Sequence, residues 1–173
     1  MIYYTFYKSP IGNLLLVANN DALTGIEFDI SPKEDMEKKL PGATAGLPEA
    51  LVKTISWLND YFHGENPGPI PKVIFEEGTE FQKKVWSIVA KIPYGQSMSY
   101  QAIANIITEE RPEVKMSAQA VGQAVGKNPI PIVVPCHRVL GYHGDLTGYS
   151  GGLEKKKLML CLEQIPYKQE KMR

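Results

Sequence analysis

Asn128-Pro-Ile-Pro-Ile-Val-Val-Pro-Cys-His-Arg-Val139 is the stretch from which the rest of the chain is read. Its apolar run, Ile130 to Val134, is punctuated by Pro129, Pro131 and Pro135. Each proline fixes its own φ and pushes the preceding residue out of the helical region. The expectation is a stiff, extended segment and not an ordinary helix. It ends by presenting one thiol, Cys136, followed directly by His137 and Arg138. A thiol on stiff backbone beside a histidine is how a chain would display a nucleophile. The Cys-His pair alone is weak evidence, because most free cysteines are inert small core residues.

Outward towards the N-terminus, the neighbouring elements are helical. Thr79-Glu-Phe-Gln82 fits a capping box, and Phe81, Val85, Ile88, Val89 and Ile92 make one apolar face. Pro93-Tyr-Gly-Gln is a turn, and Ser99 can cap a helix carrying Ala102, Ile103, Ile106 and Ile107. A second helix runs from about Ser117 to Val125 and stops at Gly126, with Val121 and Val125 inward. Its other positions are small: Ser117, Ala118, Ala120, Gly122 and Ala124. Two short helices joined by a loop suggest a helix-turn-helix, and a helix stripped of bulk can bring its backbone close to a narrow groove. Two core helices packed through alanine fit the same spacing.

Outward towards the C-terminus, Gly141–Gly148 is a polar, Gly-rich loop, followed by Tyr149-Ser150-Gly151-Gly152. From Leu153 a last helix is expected to carry Lys155–Lys157 outward and Leu153, Leu158, Cys161 and Leu162 inward, reaching Glu163. Cys161 is read as a core residue, and 164–173 as a basic, frayed tail.

The first part of the chain has a different character. Residues 2–7, 14–18 and 22–28 read as three strands separated by Ser9-Pro-Ile-Gly-Asn13 and Asn19-Asn-Asp21 turns, an antiparallel meander. Lys33–Leu40 is a helical patch, and Leu51, Ile55, Leu58 and Phe62 fall at helical spacing before Gly64. Pro67, Pro69 and Pro71 form a stiff connector, the best candidate for a boundary, and Lys72–Phe75 can add one more strand. The organisation expected is α+β: 1–76, 77–163 and the tail 164–173.

Composition sets the outer limits. The 173 residues are 43% hydrophobic and 22% charged, ordinary for a soluble globular protein with a sizeable core. No apolar run approaches the ~20 residues needed to span a bilayer. Met1-Ile-Tyr-Tyr-Thr-Phe6 lacks a basic segment before an apolar one, which argues against secretion. Two cysteines make no scaffold, so a reduced, cytoplasmic setting (nuclear if eukaryotic) fits best. Three histidines without Cys-x-x-Cys argue against structural zinc. Net charge is zero, but residues 1–78 hold six Lys/Arg against eleven Asp/Glu, and 79–163 hold ten against seven. A polyanion should therefore meet the C-terminal part.

With Pro135-Cys-His-Arg-Val139 placed between a helix-turn-helix and Tyr149-Ser-Gly-Gly-Leu153, the chain resembles the methylated-DNA–protein-cysteine methyltransferases, the O6-alkylguanine-DNA alkyltransferases. The likeness runs from about Thr79 to Glu163, and Ser9-Pro-Ile-Gly12 followed by Leu14-Leu-Leu-Val-Ala18 looks like that family's N-terminal domain. It implies a small ribonuclease-H-like α/β domain followed by a mostly helical one bearing the helix-turn-helix. It also implies direct repair: SN2 transfer of the alkyl group from guanine O6 to Cys136, once per molecule. O4-alkylthymine is a second candidate lesion.

Residue by residue, the resemblance makes His137 the base, acting through a water, and Glu163 the carboxylate that orients it. Asn128 ties the recognition helix to the active-site segment, and Tyr100 meets guanine N3 as the leaving base gains charge. The carbonyls of Cys136 and Val139 would read the exocyclic amine, the Ser150 amide would meet O6, and Tyr149 would wall the pocket. Duplex DNA carrying the lesion is the implied partner, met through its minor groove by Ser117, Ala118, Gln119, Ala120 and Gly122, with Arg138 counted among the DNA contacts. A monomer is expected, with no membrane association, cofactor or metal. The position that often carries an intercalating arginine is Gln119, so weaker DNA affinity or slower nucleotide flipping is expected. Some relatives bind zinc in the N-terminal domain; here residues 1–78 hold no cysteine and only His63.

Three other readings compete. A lesion-binding sensor without transfer would replace the acceptor cysteine, and Cys136 is present. A Cys-His hydrolase normally brings its histidine from elsewhere in the fold; here it adjoins the cysteine, where the side chains of an extended strand point apart. A plain helix-turn-helix regulator would not need a proline-stiffened thiol.

Overall fold

The computed structural model describes residues 1–168. The chain divides into two compact units: Met1–Glu77 with Pro129–Val133, and Gly78–Asn128 with Val134 onward. The first unit therefore takes back five residues from the Pro-rich stretch.

In the first unit, β1 (Tyr3–Ser9), β2 (Gly12–Ala18) and β3 (Leu23–Phe28) form the antiparallel meander. The turn at Pro10–Ile11 closes because Ser9 Oγ accepts from the Ile11 amide and donates to the Gly12 carbonyl. Gly12 sits at φ +108°, where a Cβ would also meet Asp29 Oδ1 at 2.9 Å. Asn19 Oδ1 holds the next turn by accepting from the Asp21 and Ala22 amides. Leu14, Leu15 and Leu16 are all fully buried, so β2 is covered on both faces. The helical patch shortens to α1 (Met36–Lys39), capped by Asp35. A parallel strand, β4 (Thr44–Ala45), completes the sheet order β3-β2-β1-β4. Nothing in its sequence marked it; two exposed residues carry no alternation. α2 (Glu49–Phe62) buries Leu51, Thr54, Trp57, Leu58 and Tyr61, with the Trp57 and Tyr61 rings stacked 5.5 Å apart. Lys72–Phe75 contributes a bridge, Leu23 to Val73, in place of a full strand.

In the second unit, α3 (Glu80–Ala90) starts with the Thr79–Gln82 capping box. β5 (Met98–Ser99) leads into α4 (Tyr100–Glu110), capped by Ser99 Oγ on the Ala102 amide. α5 (Ala118–Val125) is capped by Ser117 and buries Val121, Ala124 and Val125. Buried Trp86 locks α3 to α5 by donating Nε1–H to the Ala124 carbonyl at 2.8 Å. β6 (Val139–Leu140) pairs in parallel with β5, and α6 (Leu153–Leu162) closes the unit.

Three expectations are corrected. Residues 131–138 are turns, not an extended strand. The Val133 amide bonds the Pro131 carbonyl around Ile132 at φ +74°, and the Cys136 amide bonds the Val134 carbonyl around Pro135 at φ −81°, ψ 64°. Both are three-residue γ-turns, and a single turn of 3₁₀ helix, Cys136–Arg138, follows. Proline permits such turns because they ask nothing of its missing N–H.

The face of α6 is also different. Lys156, Met159 and Leu160 are buried, while Leu158 is 53% exposed and Cys161 is exposed. The inward stripe is 156, 159, 160 and 163, a proper i, i+3, i+4, i+7 set headed by a lysine. Counting only apolar residues rotated the helix away from its true seam.

Finally, 164–168 is not frayed. Ile165 is 3% exposed in a cluster with Leu140, Leu146 and Leu160, and Lys168 pairs with the 144–146 loop. The remainder of the expected tail, 169–173, lies outside the described residues.

Candidate active site

The residues that line the cavity at Cys136 belong to the second unit. A cavity of about 380 Å³ is lined by Tyr100, Gly122, Val125, Gly126, Cys136 and the 147–150 loop. That is within the range of small-molecule sites (~300–1,000 Å³). Of the expected residues it gathers Cys136, Tyr100, Tyr149, Ser150 and Gly122. Ala118 and Gln119 line an adjoining groove with Tyr100, Gly122, Tyr142 and His143. Ser117 caps the helix and is exposed, and Ala120 is half-buried.

Cys136 is 3% exposed. Burial pushes its thiol up; hydrogen bonds from Asn128 and Tyr149 and the charge of Lys156 oppose that. The resting group is thus a neutral thiol. Asn128 also donates Nδ2–H to the Val134 carbonyl at 2.9 Å, joining the end of α5 to the turn that carries the sulfur.

Behind the cysteine lies a buried polar cluster. His137 Nε2 meets Glu163 Oε2 at 2.5 Å, and Arg138 Nε donates to Glu163 Oε1 at 2.7 Å. The Gly95 amide adds a third contact to the same carboxylate at 3.0 Å. Burial pulls the His137 pKa down, partly offset by Glu163. The imidazole is therefore neutral near pH 7 and able to accept a proton. With Nε2 held by Glu163, Nδ1 is the nitrogen through which a base would act.

Arg138 does not sit where a DNA contact was expected. It is 4% exposed, with Nη1 donating to the Ile92 carbonyl at 2.7 Å and its guanidinium 5.7 Å from the Tyr94 ring centre. A buried cation needs a buried anion, and Glu163 supplies it. In an extended strand Arg138 would share the face of Cys136; the 3₁₀ turn instead sends it to Glu163 and the Ile92 carbonyl.

Val139 does not line the cavity; its carbonyl accepts from Lys156 Nζ at 2.9 Å. Tyr100 pairs its hydroxyl with Thr147 Oγ1 at 2.8 Å, and burial keeps the phenol pKa raised, so it stays a donor.

Thr147 carries no expectation from the sequence, and Lys156, expected to point outward with Lys155 and Lys157, is buried instead. Lys156 lies seven residues before Glu163, on the same helix face, and that spacing was the available signal. Among the described residues no cluster of three His, Cys, Asp or Glu side chains could hold a metal ion, and no helix is long and apolar enough to cross a membrane.

By fold and site this is a cysteine-centred protein built on a helix-turn-helix unit. A family model described as the DNA-binding domain of 6-O-methylguanine DNA methyltransferase matches residues 80–165, and one for its ribonuclease-like domain matches 2–69. A methylated-DNA–protein-cysteine methyltransferase of Haemophilus influenzae is 37% identical over 171 residues, covering 96% of this chain and 88% of its own. The constitutive enzyme of that name from Bacillus subtilis is 37% identical, covering 98% of this chain and 100% of its own. A crystal structure of Mycobacterium tuberculosis OGT in complex with DNA aligns at TM-score 0.76 and 37% identity, over 94% of this chain and 92% of that one. The chain belongs to the methylated-DNA–protein-cysteine methyltransferase family.

Proposed function

We propose that this protein repairs DNA by taking the alkyl group of O6-alkylguanine irreversibly onto Cys136. The observation that carries this is a buried thiol lining a base-sized cavity, with a neutral histidine–glutamate pair behind it and a small-sided helix at its rim.

The target carbon is inside the duplex, so the nucleotide is flipped out at a cost of a few kcal/mol. Ala118, Gln119 and Gly122 on α5 give the backbone close access to the minor groove, and Gln119 fills the gap left behind. The flipped base enters between Tyr100 and the 147–150 loop. The Cys136 proton passes through a water to His137, and Glu163 stabilises the imidazolium that forms. Sulfur then attacks the alkyl carbon: the S–C bond forms, the C–O6 bond breaks, and the electron pair leaves with guanine. Tyr100 protonates the departing base at N3, and the Ser150 amide meets O6. The thioether has no route back to thiol, so one molecule repairs one lesion.

The test is intact mass after incubation with duplex DNA containing O6-methylguanine. The expected result is one adduct of the mass of one CH2, on Cys136, at one equivalent. Binding without a mass gain, or an adduct elsewhere, overturns the proposal.

A further inference from the structure

Lys156 is a fully buried cation that the scheme above leaves without a task. Its ammonium has three protons and no acceptor, and three oxygens surround it: Val139 O at 2.9 Å, Gly148 O at 3.3 Å and Thr147 Oγ1 at 3.5 Å. Two of those are backbone carbonyls that pin Nζ in place. The third is a hydroxyl, and it touches the Tyr100 hydroxyl at 2.8 Å. Thr147 and Tyr100 line the cavity beside Cys136.

We infer that Lys156, Thr147 and Tyr100 form a one-way hydrogen-bond chain that aims the Tyr100 proton into the cavity, at N3 of the leaving base. This rests on the function proposed above and adds two positioning residues to it. Lysine can only donate, so Thr147 Oγ1 accepts from it. Either hydroxyl can donate across the 2.8 Å contact; in the chain inferred here Thr147 turns its proton onto Tyr100. Tyr100 then accepts from Thr147, and its remaining proton faces the open cavity. Each donation also makes the next hydroxyl a stronger donor.

The same chain balances charge. Before transfer the cavity holds a thiolate and the Lys156 ammonium. As S–C forms and C–O6 breaks, the negative charge moves to guanine, which takes the Tyr100 proton at N3. Thr147 reprotonates Tyr100, and Lys156 reprotonates Thr147. The products are a neutral thioether, a neutral guanine, a His137 imidazolium beside Glu163 that later sheds the thiol proton to solvent, and a neutral lysine that later recovers one. No lone buried cation is left against the new thioether. A Lys156 pKa lowered to about 8 by burial makes that proton available near neutral pH.

The test is a cycle between protein and substrate. Single-turnover transfer rates are measured at saturating duplex carrying either O6-methylguanine or its 3-deaza analogue, in which N3 is a C–H. The variants are Thr147→Val, which keeps the shape but cannot relay, and Thr147→Ser, which can. Thr147→Val should slow transfer from O6-methylguanine by ~10-fold or more yet change the 3-deaza rate by less than ~2-fold, and Thr147→Ser should restore the first. Lys156→Met should show the same selectivity. A merely structural role would slow both substrates alike, and that result, or no slowing of either, overturns the chain. Failure of the parent function reads differently: wild-type protein would acquire no adduct on Cys136.

Discussion

Replacing Glu163 by Gln should separate the two duties of one carboxylate. Glu163 is 4% exposed and accepts from His137, Arg138 and Gly95. Glutamine keeps the shape but removes the charge, leaving Arg138 as a cation 4% exposed with no anion beside it. Removing one partner of a buried pair costs ~3–5 kcal/mol. At ~2–4 °C per kcal/mol for a chain of this size, Tm should fall by roughly 6–20 °C. The double variant Glu163→Gln/Arg138→Met removes both charges and fills the space with an apolar side chain, so it should recover most of that loss. Activity should not recover with it. Without the carboxylate the imidazolium is unsupported, and the single-turnover rate should drop ~10²-fold or more in both variants. Thermal unfolding and quenched-flow alkyl transfer on the same samples read the two effects. A Glu163→Gln cost below ~1 kcal/mol, or a double variant no more stable than the single, would refute the view that Arg138 exists here as a buried counter-ion.

Three further outcomes are expected. Gln119→Arg should tighten binding to duplex DNA and speed repair, read by fluorescence anisotropy and single-turnover rates; unchanged values would mean α5 does not enter the DNA at that position. Trp86→Phe should destabilise the protein by ~0.5–1.5 kcal/mol in urea unfolding, because one buried hydrogen bond to the Ala124 carbonyl is lost while the Lys127 amide still satisfies that oxygen. The Lys156 pKa lowered to about 8 means folding disfavours the ammonium. Below about pH 8 both states are charged and the burial cost is fully present; it is relieved as pH rises from there towards the unfolded value near 10.4. Relative to Lys156→Met, the wild type should therefore gain about 2 kcal/mol between pH 7 and pH 9.5, and a flat difference would place Lys156 in contact with water.

Local chemistry made much of this molecule legible from the chain alone. The meander follows from short β-rich runs cut by Ser9-Pro-Ile-Gly12 and Asn19-Asn-Asp21, whose side chains close their own turns. Thr79, Ser99 and Ser117 announce three helices because a cap is satisfied within its own first turn. Cys136 drew attention by its setting, and Asn128 and Glu163 only through likeness to known sequences. What the chain could not announce depends on partners distant in sequence. Lys156 is inward because Val139, Thr147 and Gly148 offer three oxygens, and no local pattern makes a lysine a core residue. Arg138 turns inward because Glu163, 25 residues on, waits there, and because the backbone at Cys136–Arg138 coils where proline spacing suggested extension. Hydrogen-bond geometry within a turn is a property of sequence; the burial of a charge is a property of whatever the fold brings to meet it.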